Sequence, residues 1–202
     1  MAISPDTASS VTGFPPGSYT GTLVTGPSAV AAQAETDLGT AYTDASTTTP
    51  YDNLTGSNLG GLTLDPGAYY FSSSAQLTGT LTLDGEGDTN PTFIFEIGST
   101  LTTASAASVV LENGAGACAV YWQVGSSATL GTTTVFAGNI MAEASVTLNT
   151  GANIIDGRAM ARTGAVTLDD NVITPPPTSC VFAAATTTPT TTTPTTGAFG
   201  TT

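Results

Sequence analysis

"SATLGTTTVFAGNIMAEASVTLNTGANIIDGRAMARTGAVTLDDN", residues 127–171, contains one short unit three times: "SATL" at 127–130, "SVTL" at 145–148 and "AVTL" at 165–168. Each unit sets a threonine directly before a leucine. The leucines are 18 and 20 residues apart, at 130, 148 and 168. Repeats near 20 residues, built of short β-prone runs and glycine turns, indicate a solenoid of β-coils.

Each coil divides into three short strands. The first column reads "VYWQV" (120–124), "GNIMA" (138–142) and "GRAMA" (157–161); the second is the threonine–leucine unit; the third is "TTVF" (133–136), "ANII" (152–155) and "NVIT" (171–174). Earlier coils fit the same frame through "FIFEI" (93–97), "STLTT" (99–103) and "SVVL" (108–111), and before them "AYYF" (68–71), "QLT" (76–78) and "TLTL" (80–83). The expected fold is mainly β: a right-handed parallel β-helix of triangular cross-section with one long α-helix packed along one face.

Alternation within a strand puts one set of side chains in the core and the other in water. In the second column the leucines point inward and the threonines outward. Aligning Leu101 with Leu130 puts Thr100 in the threonine file, and Thr102 beside Gly131 and Asn149. Thr134 falls on the third column, away from that file. The first column is apolar on both sides and needs a cover. "PSAVAAQAETDLGTAYTDAS", residues 27–46, supplies it: Pro27 suits a first turn, and Val30, Ala34, Leu38, Ala41, Tyr42 and Ala45 recur at helical spacing. The threonine column is then left as a bare, flat surface.

Composition excludes several functions. The net charge is −13, with no lysine or histidine. Nucleic-acid binding needs a basic surface and is ruled out. No apolar run reaches the roughly 18 residues of a membrane span, so membrane insertion is not expected. Without histidine or lysine the usual nucleophilic triads cannot be built, and no cofactor motif appears. "LDGEGDTN" (83–90) spaces Asp84, Glu86 and Asp88 like a calcium loop, but lacks that loop's sixth-place glycine and twelfth-place acid, and reads as an acidic turn. No metal site is expected. Arg158 and Arg162 read as structural anchors. Cys118 and Cys180 allow either a disulfide or two free thiols. The first residues, "MAISPDTASS", carry no signal-peptide pattern.

Exposed threonines favour strands and need no function in themselves. Here they recur at one rung position, and the face carries almost no long side chain. Rungs lie about 4.8 Å apart and outward residues of one strand about 6.5–7 Å apart. A grid of methyls and hydroxyls on those spacings approaches the repeat of water oxygens in ice.

The stretches "AVYWQVGSSATLGTTTVFAGNIMA", "SVTLNTGA" and "GRAMARTGAVTLDDNVIT" resemble the microbial ice-binding proteins that fold as a discontinuous right-handed β-helix with a helix alongside. "SPDTASSVTGFPPGSYTG", "AVAAQAETDLGTAYTDA" and "GGLTLDPGAYYFSSSAQLTGTLTLDGEGDTNPTFIFEIGSTL" are similar to the same family, and the resemblance covers residues 2–174. Members usually carry another strand or two before the segment matched here by "ISP".

The resemblance implies ice binding through the face that follows the helix-covered strand. The expected site is Gln76, Thr78, Thr100, Thr102, Ser127, Thr129, Gly131, Ser145, Thr147, Asn149, Ala165, Thr167 and Asp169. The family's chain order also implies that the N-terminal coil stacks beside the last one, adding Ser10 and Thr12. Family members with cysteines at similar places suggest a Cys118–Cys180 disulfide pinning the chain end to the solenoid. The expectation is therefore a secreted or cell-surface monomer, not an enzyme, whose partner is the ice crystal surface. Its ice-binding domain would span 1–182, and 183–202 would form a Thr/Pro-rich disordered tail. The alternative is a β-helical adhesin or carbohydrate-binding module using the same face.

Overall fold

The computed structural model describes residues 1–177 apart from Pro27 and Pro50. The expected tail at 183–202, Cys180 and the first-turn role of Pro27 lie outside the described residues. All strand pairings are parallel, and the coils stack into three faces.

The helix-side face stacks β1 (Tyr51–Asn53), β3 (Gly67–Phe71), β6 (Phe93–Ile97) and β9 (Val120–Val124), then the second halves of β11 (Val135–Ala142) and β13 (Asn153–Ala161). The middle face stacks β4 (Ala75–Leu77), β7 (Leu101–Thr103), β10 (Ala128–Leu130), β12 (Val146–Leu148) and β14 (Val166–Thr167). The third face holds β2 (Thr63–Leu64), β5 (Thr80–Asp84), β8 (Ser108–Glu112) and the first halves of β11 and β13. The fold class expected from the repeats is the one observed.

The period-2 pattern becomes a burial pattern. On the helix-side face Phe93, Phe95 and Ile97 are buried while Ile94 and Glu96 are half-buried. Inward aromatics from successive coils lie over one another. Tyr69 stacks on Phe95 with centroids 5.3 Å apart, and Phe95 on Trp122 at 3.9 Å and 7°. The buried Trp122 donates its indole N–H to Ala137 O at 3.1 Å, so its polar atom is satisfied. β11 and β13 run from the third face onto the helix-side face without a loop. Gly138, at φ +103°, makes that corner and interrupts the register between Ala137 and Asn139. A Cβ on Gly157 in the next coil would sit 1.9 Å from Gly138 O, so both corners need glycine.

Helix α1 (Ala29–Ala45) lies against β6 and β9, covering the face that the sequence left apolar on both sides. Ser28 caps it by accepting the Val30 N–H at 3.3 Å. Its inward stripe differs from the expected one. Ala31 and Ala45 are buried and Leu38 and Tyr42 half-buried, whereas Val30, Ala34 and Ala41 stay exposed. A stripe one residue wide suffices because the helix touches a flat sheet along one line. Tyr42 Oη donates to Val124 O at 3.3 Å, and the Arg162 guanidinium sits 4.7 Å above the Tyr42 ring. Arg162 also pairs with Glu143, and Arg158 donates to Oδ1 of the buried Asn139 at 2.9 Å. Both arginines are anchors, as expected.

The N-terminal segment departs from expectation. Residues 1–26 close on themselves: Ala2 pairs with Val24, and Val24 N–H donates to Met1 O at 2.9 Å. Ser10 ends a short 3-10 segment, Ala8–Ser10, and Thr12 follows it in coil. Neither pairs with β14, which forms the outer edge of the middle face among the described residues. The segment's backbone bonds are spent internally, so it adds no rung there.

Candidate functional site

The middle face presents three parallel rows of outward side chains. The central row is in unbroken register: Gln76 beside Thr102, Thr102 beside Thr129, Thr129 beside Thr147, Thr147 beside Thr167. Every inward neighbour in these strands except Thr103 is apolar. Leu77, Leu101, Ala128, Leu130, Val146 and Leu148 are buried up to the last coil. β-branching holds each threonine in few rotamers, so the row is stiff before it meets any ligand.

The second row precedes the strands. Ladder bonds run from Ala75 N to Thr100 O, Leu101 N to Ser127 O, Ala128 N to Ser145 O and Val146 N to Ala165 O, all at 2.9–3.2 Å. Ser74, Thr100, Ser127, Ser145 and Ala165 therefore stack, and Thr100 Oγ1 donates to Ser74 Oγ at 2.8 Å. The third row follows the strands: Thr78, Ala104, Gly131, Asn149 and Asp169. There Ala104 N–H donates to Leu77 O at 2.9 Å and Asn149 N–H to Leu130 O at 3.0 Å.

These registers correct one alignment made from sequence. Leu101 pairs with Ala128 and Thr102 with Thr129, so Thr102, not Thr100, stands in the threonine file. Thr100 belongs to the serine row. The segment "TLTT" allows either setting, and Thr103 decides between them by filling a core position. Thr134 is also not a surface residue: it is fully buried and meets Thr103. Thirteen of the expected positions share one face, while Ser10 and Thr12 make no strand pairing with it.

Three residues on the face were missed. Ser74 and Ala104 complete the outer rows, and Asn58 bridges to Gln76 at the first-coil end. The "NL" of Asn58–Leu59 repeats the polar–leucine step of the threonine units, which was the available signal. Asn58 also closes the edge of the sheet: its Oδ1 accepts the Thr78 N–H at 2.9 Å.

Five rungs at about 4.8 Å and three rows at about 6.6 Å give an area on the order of 250 Å². Asp169 is the one charged side chain in the three rows, and its carboxylate accepts the Thr150 hydroxyl. The other ionic groups nearby, Glu143 and Arg162, are paired at the corner towards the helix. The acidic turn lies elsewhere, on the third face. There the Glu86 N–H, and next the Asn113 amide, hold Asp84 below its ordinary carboxylate pKa. Among the described residues no group of three His, Cys, Asp or Glu side chains is placed to hold a metal ion. Cys118 is half-buried before β9, and no free cysteine occurs among the described residues.

The three rows hold a single carboxylate, Asp169, and no cationic side chain. The face offers a flat, regular lattice of methyl and hydroxyl groups. Residues 1–174 match the family described as Ice-binding-like. An ice-binding protein from Nostoc is 58% identical over 168 residues, covering 83% of this chain and 62% of the relative. One from Colwellia is 38% identical over 69% of this chain and 54% of the relative. The crystal structure of an ice-binding protein from the Antarctic ascomycete Antarctomyces psychrotrophicus superposes with a TM-score of 0.76 at 41% identity, covering 81% of this chain and 79% of that one. That of an ice-binding protein from an Antarctic biological consortium also gives 0.76, at 46% identity over 80% and 73%. The chain thus spans less than two thirds of the length of the Nostoc and Colwellia relatives.

Proposed function

Since this chain belongs to the ice-binding-like family, we propose that it adsorbs to ice through the middle face and restrains crystal growth. The observation that carries this reading is the central row, in which Thr102, Thr129, Thr147 and Thr167 stand in one register, the first three over a buried core. Each methyl holds a cage of water, and each hydroxyl anchors that cage by donating and accepting hydrogen bonds. A lysine ammonium would orient water around its charge and break the pattern, and the chain has no lysine.

Single contacts are weak. Held rigidly on one plane, they act together and release slowly, as linked sites do. Adsorbed molecules make ice advance as curved fronts between them, which lowers the local freezing point. This yields thermal hysteresis and slows recrystallisation. No catalysis is involved. The acting unit is a secreted or cell-surface monomer whose ice-binding domain spans 1–182, with residues 183–202 as a dispensable tail.

A carbohydrate-binding or adhesin reading fits less well. Flat polysaccharide sites stack sugars on exposed aromatic rings, and no aromatic residue stands in the three rows. The test is uptake into slowly grown ice. The protein is expected to be enriched in the ice fraction relative to an inert protein of equal size. Exclusion into the remaining liquid, with retention on a crystalline polysaccharide, would replace this reading with the other.

A further inference from the structure

Four polar side chains are buried among the described residues: Thr103, Gln123, Thr134 and Asn139. Two of them, Thr103 and Thr134, meet at the corner between the middle and third faces, on adjacent coils. Thr103 ends β7 beside Leu77, in the file that Leu130 and Leu148 continue. The pairing of β7 with β10 covers only Leu101–Ala128 and Thr102–Thr129. Its neighbours reach one residue further, to Leu77–Thr103 on one side and Leu130–Leu148 on the other.

The ladder bond expected at that place is replaced by a side-chain bond. Ala104 N–H and Asn149 N–H donate to the backbone oxygens of Leu77 and Leu130. The equivalent Gly131 N–H donates instead to Thr103 Oγ1, at 2.8 Å. Thr103 Oγ1 lies 2.8 Å from Thr134 Oγ1, and Thr134 Oγ1 donates to Ala104 O at 3.2 Å. The proton order follows. Thr134 gives its proton to Ala104 O, so Thr103 gives its own to Thr134 and accepts from Gly131. The relay runs Gly131 N–H, Thr103 O–H, Thr134 O–H, Ala104 O, with each hydroxyl giving one bond and taking one.

Both ends of the relay stand at third-row positions, where Ala104 is half-buried and Gly131 buried. Gly131 lies hard against its neighbour, for a Cβ there would fall 2.6 Å from the Ala104 carbonyl carbon. We propose that Thr103 and Thr134 are positioning residues for the ice-contacting face, setting the level of Ala104 and Gly131 at an interior step of the sheet where a side-chain bond replaces the backbone ladder. This rests on the middle face being the ice site. Neither hydroxyl touches ice; both act through the backbone that carries the third row.

Two substitutions of Thr103 separate positioning from packing. Thr103→Val keeps the shape and removes the hydroxyl; Thr103→Ser keeps the hydroxyl and removes a methyl. Amide exchange, melting temperature and thermal hysteresis are measured on both, with Thr147→Tyr alongside. In Thr103→Val the Gly131 amide should exchange roughly tenfold faster, the factor for about one net hydrogen bond. The Asn149 amide, one rung on, should be unchanged. Hysteresis should fall by about twofold in the valine variant, because the contacts act as one surface, and persist in the serine variant even if that variant melts lower. Should Thr103→Val fail to fold, Thr134→Val is expected to show the same pair of effects. Full hysteresis in the valine variants, or hysteresis that tracks melting temperature across all variants, overturns the proposal. If Thr147→Tyr also keeps full activity, it is the choice of face that fails.

Discussion

Replacing Thr147 by tyrosine puts one bulky group at the heart of the lattice. Thr147 stands between Thr129 and Thr167 in the central row, with Ser145 and Asn149 on either side along its own coil. Tyrosine favours strands as threonine does, and the position is outward, so the fold should persist. Even lying flat, the ring adds about 3.5 Å, one carbon–carbon contact distance, to a face meant to be level. A gap of that size breaks the contacts of Thr147 and its four neighbours. At about 0.5 kcal/mol for each of five hydrogen-bonding groups, the loss is about 2.5 kcal/mol, or roughly seventyfold in adsorption. Thermal hysteresis should fall by more than half, with an unchanged circular dichroism spectrum. The control is Ile155→Tyr, on the third face, where Ile155 is 42% exposed. It should retain activity. Thr134 cannot serve as a control, because a tyrosine there would burst the core. A folded Thr147→Tyr protein with full hysteresis, or a larger loss from Ile155→Tyr, would refute the choice of face.

Further expectations concern the frame. Cys118 and Cys180 should be bonded, closing a loop of about 60 residues worth roughly 4 kcal/mol; two thiols titrating in the unfolded, unreduced protein would contradict this. Deleting residues 183–202 should leave both hysteresis and melting temperature unchanged, and a drop in either would assign the tail a packed role. Arg162→Ala removes a partly exposed ion pair and the contact with the Tyr42 ring. It should lower Tm by about 2–4 °C, the shift expected for ~1 kcal/mol in a domain of this size, and spare hysteresis. Burial, with smaller contributions from Asp52 and Asp65, pushes the Tyr69 phenol up to about 12. The fold favours the neutral phenol, so this contribution is intact below the ordinary tyrosine pKa near 10 and is lost as pH rises towards 12. Denaturant midpoints should therefore decline across that alkaline window, and a Tyr69→Phe variant should decline less.

The coil repeat was legible because Val146–Leu148 and Val166–Leu168 carry the same residues at the same place in successive coils. The face could be assigned because a period of 2 leaves only one outward set. Register failed where the local pattern was degenerate. In "STLTT" both settings give threonines outward, and the deciding fact is a hydroxyl partner, Thr134, 31 residues away. A buried threonine looks like an exposed one until its partner is known. The helix stripe was misjudged for a related reason. Alanine is compatible with either side, so Ala31, Ala34 and Ala41 could not be sorted by type. Ser10 and Thr12 were placed by family chain order, and neither pairs with β14.

The stacked rings of Tyr69, Phe95 and Trp122 have a practical consequence. The chain contains one tryptophan, fully buried and 3.9 Å from Phe95 on the coil below. Its emission and near-ultraviolet dichroism report the spacing of two adjacent coils, shielded from solvent. It belongs to the helix-side strands, so freezing need not disturb its surroundings. A spectroscopist thus has an intrinsic, label-free gauge of coil stacking that can be read during ice growth, with detachment from the crystal and unwinding of the solenoid appearing as separate signals.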